Sequence, residues 1–182
     1  MTADKGGIVM PINANQIARQ LSLLKVLIVD DESSMRKVTR ALLQTIGVKH
    51  IYEAADGRSG LDEICARLPD IVILDWEMPS LNGAEFMRTV RSPKSFPLHD
   101  VPVIMLTGHN ERSRVLEAVQ LGVNEYLLKP VSSTAILARI VSILAKPRKM
   151  VQRGDYYGPE PRKPSTFKPE SDPGFAHIVL VN

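Results

Sequence analysis

Short apolar segments alternate along this chain with segments whose apolar residues recur at helical spacing. The apolar runs, rich in β-branched residues, predict strands at residues 25–29, 48–54, 71–75, 101–106 and 125–128. The third run is the most telling, because four apolar residues lead straight into Asp75 before Pro79 and the Asn82–Gly83 turn end the segment. Continuous apolar runs of this kind are typical of strands buried on both faces of a parallel sheet.

Each predicted strand is followed by a predicted helix. The first of these helices has Ser33 or Ser34 as its candidate N-cap and Gly47 at its end. Its apolar stripe consists of Met35, Val38, Leu42 and Ile46. Further helices are predicted at residues 57–68, 84–91, 111–121 and from 132 or 133 to about 146. Five strand–helix units imply an α/β fold, a doubly wound parallel sheet with helices on both faces.

The two ends of the chain differ from this repeating middle part. Residues 1–23 are predicted to form an N-terminal arm or short helix, because Ile17 and Leu21 share one helical face. Residues 24–146 form the domain. Residues 147–182 hold six of the thirteen prolines and predict an extended or disordered tail without an output domain. Within that tail, Tyr156–Tyr157 and Phe167 are candidates for docking on the domain, and residues 178–181 for a short edge strand.

Composition narrows the class of protein. The net charge is +3, and residues 25–146 are neutral, so the small surplus gives no support for nucleic-acid binding. The single cysteine, Cys65, excludes an internal disulfide, and its apolar neighbours predict a buried, inert thiol. No signal-peptide pattern opens the sequence, and no apolar run approaches the roughly 20 residues of a membrane span. We therefore expect a cytoplasmic protein with neither a nucleic-acid nor a membrane partner.

The chemistry is concentrated where the predicted strands end. Asp30 and Asp31 follow the first strand, Asp75 ends the third, Thr107 follows the fourth and Lys129 the fifth. Because the carboxyl ends of parallel strands share one edge of the sheet, these side chains should form one pocket. Crowded carboxylates repel unless a cation is present, and oxygen-only ligands favour Mg²⁺. A carboxylate beside Mg²⁺ and a lysine is suited to receiving a phosphoryl group.

With these residues in place, the chain resembles the receiver domain of two-component response regulators, which has the chemotaxis-regulator fold. The matching stretches are residues 26–31, 75–83 (DWEMPSLNG), 105–108 and 126–130, and the resemblance covers about residues 24–146. Each stretch alone is a weak signal, whereas all four in this order are specific. The resemblance implies a flavodoxin-like (βα)5 sheet with strand order 2-1-3-4-5, in a stand-alone regulator.

The resemblance also implies a role for each residue of the pocket. Asp75 is implied to be the phosphoacceptor, in a Mg²⁺-dependent step. The implied metal ligands are Asp31, Asp75 and the backbone carbonyl of Glu77, with Asp30 helping through water. Lys129 is implied to bridge to the phosphoryl group, and in the family its bond to the next residue, a proline, is usually cis.

Two further residues are implied to carry the signal. Thr107 moves onto the phosphoryl group, and Tyr126 is the aromatic switch that turns inward behind it. The switch alters the face made by the fourth helix, the fifth strand and the last helix. Glu77 and His109 occupy positions that resemble the family's rate-tuning sites for phosphoryl loss.

The implied partners are a sensor histidine kinase or a histidine phosphotransfer protein, and a downstream protein. The implied state is a monomer or a phosphorylation-dependent dimer. The chain is expected to be a signal transducer that catalyses its own phosphorylation and dephosphorylation, and not an enzyme in the ordinary sense.

Three other classes of protein are alternatives to a response regulator. A phosphatase of the haloacid-dehalogenase type needs a second aspartate two residues after its nucleophile, where this chain has Glu77. A receiver-fold binding module that acts without phosphorylation would retain uncompensated charge in its pocket at a cost in stability. A regulator whose tail binds nucleic acid would show salt-dependent binding.

Overall fold

A computed structural model describes residues 14–108 and 112–161 of the 182-residue chain. The helices are α1 (Ala14–Leu23), α2 (Ser33–Thr45), α3 (Gly57–Arg67), α4 (Gly83–Val90), α5 (Arg112–Gln120) and α6 (Ser133–Ala145). The strands are β1 (Lys25–Val29), β2 (His50–Ala54), β3 (Ile71–Asp75), β4 (Val103–Thr107), β5 (Glu125–Leu128), β6 (Met150–Arg153) and β7 (Tyr156–Pro159). Within the described ranges no helix is long and apolar enough to cross a membrane.

The main sheet has five parallel strands in the order β2-β1-β3-β4-β5. The predicted doubly wound fold and the strand order 2-1-3-4-5 are therefore confirmed. Every residue of β3 and β4 is buried, which agrees with their unbroken apolar sequences. The connection after β1 leads to β2 on one side of the sheet, and the connection after β3 leads to β4 on the opposite side. The carboxyl ends of β1 and β3 therefore flank a topological switch point, where ligands bind in sheets of this type.

Helices cover both faces of the sheet. Helices α3, α4 and α5 pack on one face, where Ile64, Phe86 and Val115 meet Leu27 and Leu74. Helices α1, α2 and α6 pack on the other face against the alternate strand residues. The predicted short N-terminal helix is present as α1, and its residue Leu21 is buried in this second layer.

Some local predictions were wrong. Helix α2 begins after Glu32 as its N-cap, and not after Ser33 or Ser34, and Glu32 makes no side-chain capping bond. The backbone N–H of Glu32 instead donates to the carboxylate of Asp30. Cys65 is exposed, because it lies one residue beyond the buried Ile64 and so turns toward solvent.

The largest correction concerns the start of the tail. Residues 150–159 form an antiparallel hairpin of β6 and β7, where an extended or disordered segment was predicted. The hairpin docks on the domain. Tyr157 donates a hydrogen bond to Asp100, its ring contacts the His99 ring at a centroid distance of 5.3 Å, and Arg148 donates to the carbonyl of Asn124. Phe167 and residues 178–181 lie outside the described residues.

The hairpin rests on a loop that a buried arginine holds in place. Arg91, at the end of α4, is only 7% exposed and donates to the carbonyls of Gly122 and His99 and to the side chain of Asn124. Burial lowers the pKa of Arg91 to about 10, so the side chain stays charged at neutral pH. A Cβ on Gly122 would lie 2.6 Å from the carbonyl oxygen of Tyr157, so this close approach requires glycine.

Candidate functional site

The carboxyl edge of the sheet brings three aspartates together. Asp30 follows β1, Asp31 comes next, and Asp75 is the last residue of β3. One carboxylate oxygen from each lies within 4.8 Å of the others. Asp30 and Asp75 are buried, with 1% and 6% exposure, whereas Asp31 is exposed. The cluster therefore has one side open to solvent, as an ion with bound waters requires.

Lys129 supplies a cation to this cluster. It follows β5, and its Nζ lies 2.9 Å from Oδ1 of Asp75 and 3.1 Å from Oδ2 of Asp30. The Lys129 backbone N–H donates to the carbonyl of Thr107, which fixes the start of the loop. The Lys129–Pro130 peptide bond is cis, as the resemblance implied. A single ammonium group thus bridges two buried carboxylates.

The pKa shifts follow from burial and from these contacts. Burial raises the pKa of Asp75, and the neighbouring Asp30 adds to this, although Lys129 and a backbone bond from Glu77 oppose it. Burial alone would lower the pKa of Lys129, but Asp75 and Asp30 outweigh it, so the pKa of Lys129 is raised. Lys129 therefore stays an ammonium, while the Asp75 carboxylate is disfavoured relative to water. A second cation would relieve the remaining negative charge.

Thr107 and Tyr126 connect the pocket to the neighbouring strand. Thr107 ends β4 and is fully buried, and Tyr126 in β5 is 7% exposed. Their side chains are hydrogen-bonded, and burial raises the pKa of the Tyr126 phenol. Tyr126 therefore points inward in this structure. His109, which follows Thr107 by two residues, lies outside the described residues.

The loop after Asp75 approaches the strand end closely. The Gly83 N–H donates to the carbonyl of Trp76, and a Cβ on Gly83 would lie 2.9 Å from the carbonyl oxygen of Asp75. Only glycine fits there. Asn82 caps α4 in a reciprocal capping box with Glu85, which fixes where the helix begins. This loop therefore sets the position of Asp75 and of Glu77.

The exposed Glu77 borders a cleft of about 550 Å³ that is lined by the loop after Asp75 and by residues of α4 and α5. Trp76, also on the cleft wall, is 4% exposed, and the guanidinium of Arg114 lies 5.4 Å from the centre of its ring. The indole next to Asp75 is thus packed against a cation of α5. Its fluorescence should report on changes in the pocket.

Reasoning from the sequence missed one residue that contacts the site directly. Arg36 of α2 donates from Nη1 to the carbonyl oxygens of Asp30 at 2.7 Å and Asp31 at 3.1 Å. The helix dipole disfavours a cation near the N-terminus of a helix. An arginine at this position of the predicted helix was therefore the sequence feature that could have identified Arg36.

The cluster fits Mg²⁺ by its chemistry. Its ligands are oxygens, the number of carboxylates is small, and one side opens to solvent for water ligands. Asp30, Asp31 and Asp75 are the residues whose carboxylates would hold the ion, and the backbone carbonyl of Glu77 stays a predicted ligand.

Comparison with known proteins identifies the family. Residues 26–141 match the model of the response regulator receiver domain. The chain is 35% identical over 123 residues to the chemotaxis protein CheY of Pseudomonas aeruginosa, covering 68% of this chain and 98% of that protein. It is 33% identical over 123 residues to chemotaxis protein CheY-3 of Vibrio cholerae, covering 68% and 93%. The chain belongs to the response regulator receiver domain family, and so to two-component signalling.

Solved structures agree with the fold. A putative response regulator from Chloroflexus aurantiacus matches with a TM-score of 0.62 and 31% identity, covering 68% of this chain and 98% of that one. Chemotaxis protein CheY4 of Vibrio cholerae matches with a TM-score of 0.57 and 32% identity, covering 64% and 95%. Helix α1 and the β6–β7 hairpin lie outside the part that matches the family model.

Proposed function

We propose that this chain is a phosphorelay response regulator that accepts a phosphoryl group on Asp75. The observation that carries the proposal is the pocket itself. Asp75 ends a buried strand, touches Lys129 at 2.9 Å and has two more carboxylates within reach of one cation. The donor would be a phosphohistidine of a sensor kinase or of a phosphotransfer protein.

The proposed transfer uses groups that the pocket already holds. An Asp75 oxygen attacks phosphorus, the phosphorus–nitrogen bond of the donor histidine breaks, and the leaving imidazole takes up a proton. Lys129, whose Nζ lies 2.9 Å from Asp75, and the Thr107 hydroxyl would bind the phosphoryl oxygens as charge builds on them. Bound Mg²⁺ would offset the charge of the same oxygens. Loss of the phosphoryl group to water would reset Asp75.

The proposed output runs through Thr107 and Tyr126. A phosphoryl group on Asp75 that draws Thr107 toward it would stabilise the inward position that Tyr126 already has in this structure. Tyr126 lies on β5, between α5 and α6 in the chain, so its position bears on the face that these elements form. Leu116 and Val119 of α5 are 53% and 50% exposed, which supports a protein partner docking there.

The test uses the full-length chain and a small phosphorus–nitrogen donor, phosphoramidate. Incubation with Mg²⁺ should add one phosphoryl group, which intact-mass spectrometry detects and peptide mapping assigns to Asp75. Asp75→Asn should fold and remain unlabelled, and a chelator should prevent labelling of the wild type. Labelling that persists in Asp75→Asn would remove Asp75 from the proposed role.

The same experiment addresses the alternative of a receiver-fold binding module. A wild-type chain that gains no mass with Mg²⁺ and donor would favour that alternative. The stand-alone organisation, the cytoplasmic location and the choice between a monomer and a phosphorylation-dependent dimer stay predictions.

A further inference from the structure

Arg36 links the acidic loop to a neighbouring strand. Its Nη1 donates to the consecutive carbonyl oxygens of Asp30 and Asp31, and its Nε lies 3.5 Å from Oε2 of Glu53. The Arg36 side chain is 16% exposed, so these bonds are shielded from water on most sides. A planar guanidinium directs Nη1 at the loop carbonyls and Nε at Glu53 at the same time, whereas a lysine has only one nitrogen to reach both.

Glu53 is itself firmly placed. It belongs to β2, where it lies beside Ile28 of β1 in the parallel register. Its other carboxylate oxygen accepts from Arg40 of the same helix, α2. The Arg36 guanidinium is therefore held at one end by the sheet and at the other end by the loop that carries the aspartates.

Two electrostatic effects act against Arg36 at this position. It lies near the N-terminus of α2, where the helix dipole repels a cation, and the first turn of α2 contains no acidic residue. It also brings positive charge close to a pocket suited to a divalent cation. The ion pair with Glu53 and the bonds to the loop carbonyls offset both effects.

Other contacts restrain Asp30 more than Asp31. The Asp30 N–H donates to the carbonyl of Ala54, and the Asp30 carboxylate accepts from the N–H of Glu32 and from Lys129. Asp31 is exposed, and the bond from Arg36 to its carbonyl fixes the direction in which its backbone leaves the strand. We propose that Arg36 is a positioning residue that orients Asp30 and Asp31 toward Asp75 for binding a divalent cation. This inference rests on the proposed function, because it concerns the same pocket.

The test compares two charge-retaining variants of the full-length chain. Arg36→Lys keeps the positive charge but loses the planar guanidinium group. Arg40→Lys is the matched control, because Arg40 also pairs with Glu53 but donates to the carbonyl of Ile51 and not to the acidic loop. Isothermal titration with Mg²⁺ alone should show the dissociation constant of Arg36→Lys increased about tenfold, as for loss of an outer-shell partner. Arg40→Lys should match the wild type. Thermal melting should show that both variants are folded at the titration temperature.

A third variant separates position from charge. If Arg36 acted only through its charge, Arg36→Met would bind Mg²⁺ more tightly than the wild type, and Arg36→Lys would not differ. Positioning predicts weaker binding in both. Unchanged affinity in Arg36→Lys, or failure of that variant to fold, would overturn the inference alone. A wild-type chain that binds no Mg²⁺ would overturn the proposed function together with it.

Discussion

The docked hairpin gives a quantitative prediction, because Gly158 packs directly against the loop of Gly122. A Cβ added at residue 158 would lie 2.6 Å from the Cα of Gly122 and 2.7 Å from the hydroxyl of Tyr156. Both distances fall well inside the 3.4 Å at which ordinary contact begins, and the first of these atoms is backbone. Gly158→Ala should therefore force the hairpin away from the domain.

The size of the effect has an upper bound, because the hairpin can move away instead of straining the core. Overpacking costs about 1–3 kcal/mol. The contacts that would be lost include the Tyr157–Asp100 and Arg148–Asn124 hydrogen bonds, worth about 1 kcal/mol each, together with the burial of Gly158 and Pro159. We expect the free energy of unfolding to fall by about 2 kcal/mol. For a chain of this size that lowers the melting temperature by about 4–8 °C.

Differential scanning calorimetry on the full-length chain measures this shift. Arg153→Gln is a suitable control, since Arg153 lies on the same hairpin, is exposed and pairs only loosely with Glu160 at 3.6 Å. The control should melt as the wild type does. A chain ending at Lys146 should lose at least as much stability as Gly158→Ala. Equal melting temperatures for wild type, Gly158→Ala and the shortened chain would refute docking of the hairpin in solution.

Three further predictions concern the acidic pocket. Asp75→Asn should raise the melting temperature at pH 7 without Mg²⁺. The reason is that the pKa of Asp75 is raised, so folding disfavours its carboxylate form. The melting temperatures of variant and wild type should converge as the pH falls through the pKa of Asp75 in the folded chain. Lys129→Met should lower the free energy of unfolding by about 1–3 kcal/mol in urea titrations at pH 8, because two buried carboxylates lose their cation. Because folding raises the pKa of Lys129, its stabilising contribution should be complete below the unfolded pKa of about 10.4. The wild type should lose this contribution only as the pH rises through the pKa of Lys129 in the folded chain. Mg²⁺ at 100 times its dissociation constant should raise the free energy of unfolding of the wild type by about 2.7 kcal/mol. The same Mg²⁺ concentration should raise the free energy of unfolding of Asp31→Asn by less, and calorimetry measures both values.

The main fold could be predicted from sequence because its signals are local. The apolar runs of β3 and β4 are buried on both faces, so their sequences are unbroken, and Asp75 and Thr107 end them directly. The grouping of Asp30, Asp75 and Lys129 then followed from the geometry of a parallel sheet, in which strand ends share an edge.

The hairpin could not be predicted in this way, because its strands lack an apolar alternation. Gln152 and Arg153 are exposed, and the segment is stabilised by contacts with Asp100 and Gly122, far away in the sequence. The role of Arg36 was hidden for a similar reason. Its bonds to the loop depend on the direction of a side chain, which composition and periodicity do not report.

The central claim is that Asp75 accepts a phosphoryl group in a Mg²⁺-dependent step that changes the pocket. The most direct measurement is the fluorescence of Trp76, the only tryptophan of the chain, which is buried next to Asp75. Mg²⁺ is titrated first, and acetyl phosphate is added afterwards, with Asp75→Asn alongside. The account predicts a response to Mg²⁺ and a second, Mg²⁺-dependent change that Asp75→Asn lacks. A second change of equal size in Asp75→Asn, or no change in the wild type together with no gain in mass, would contradict it.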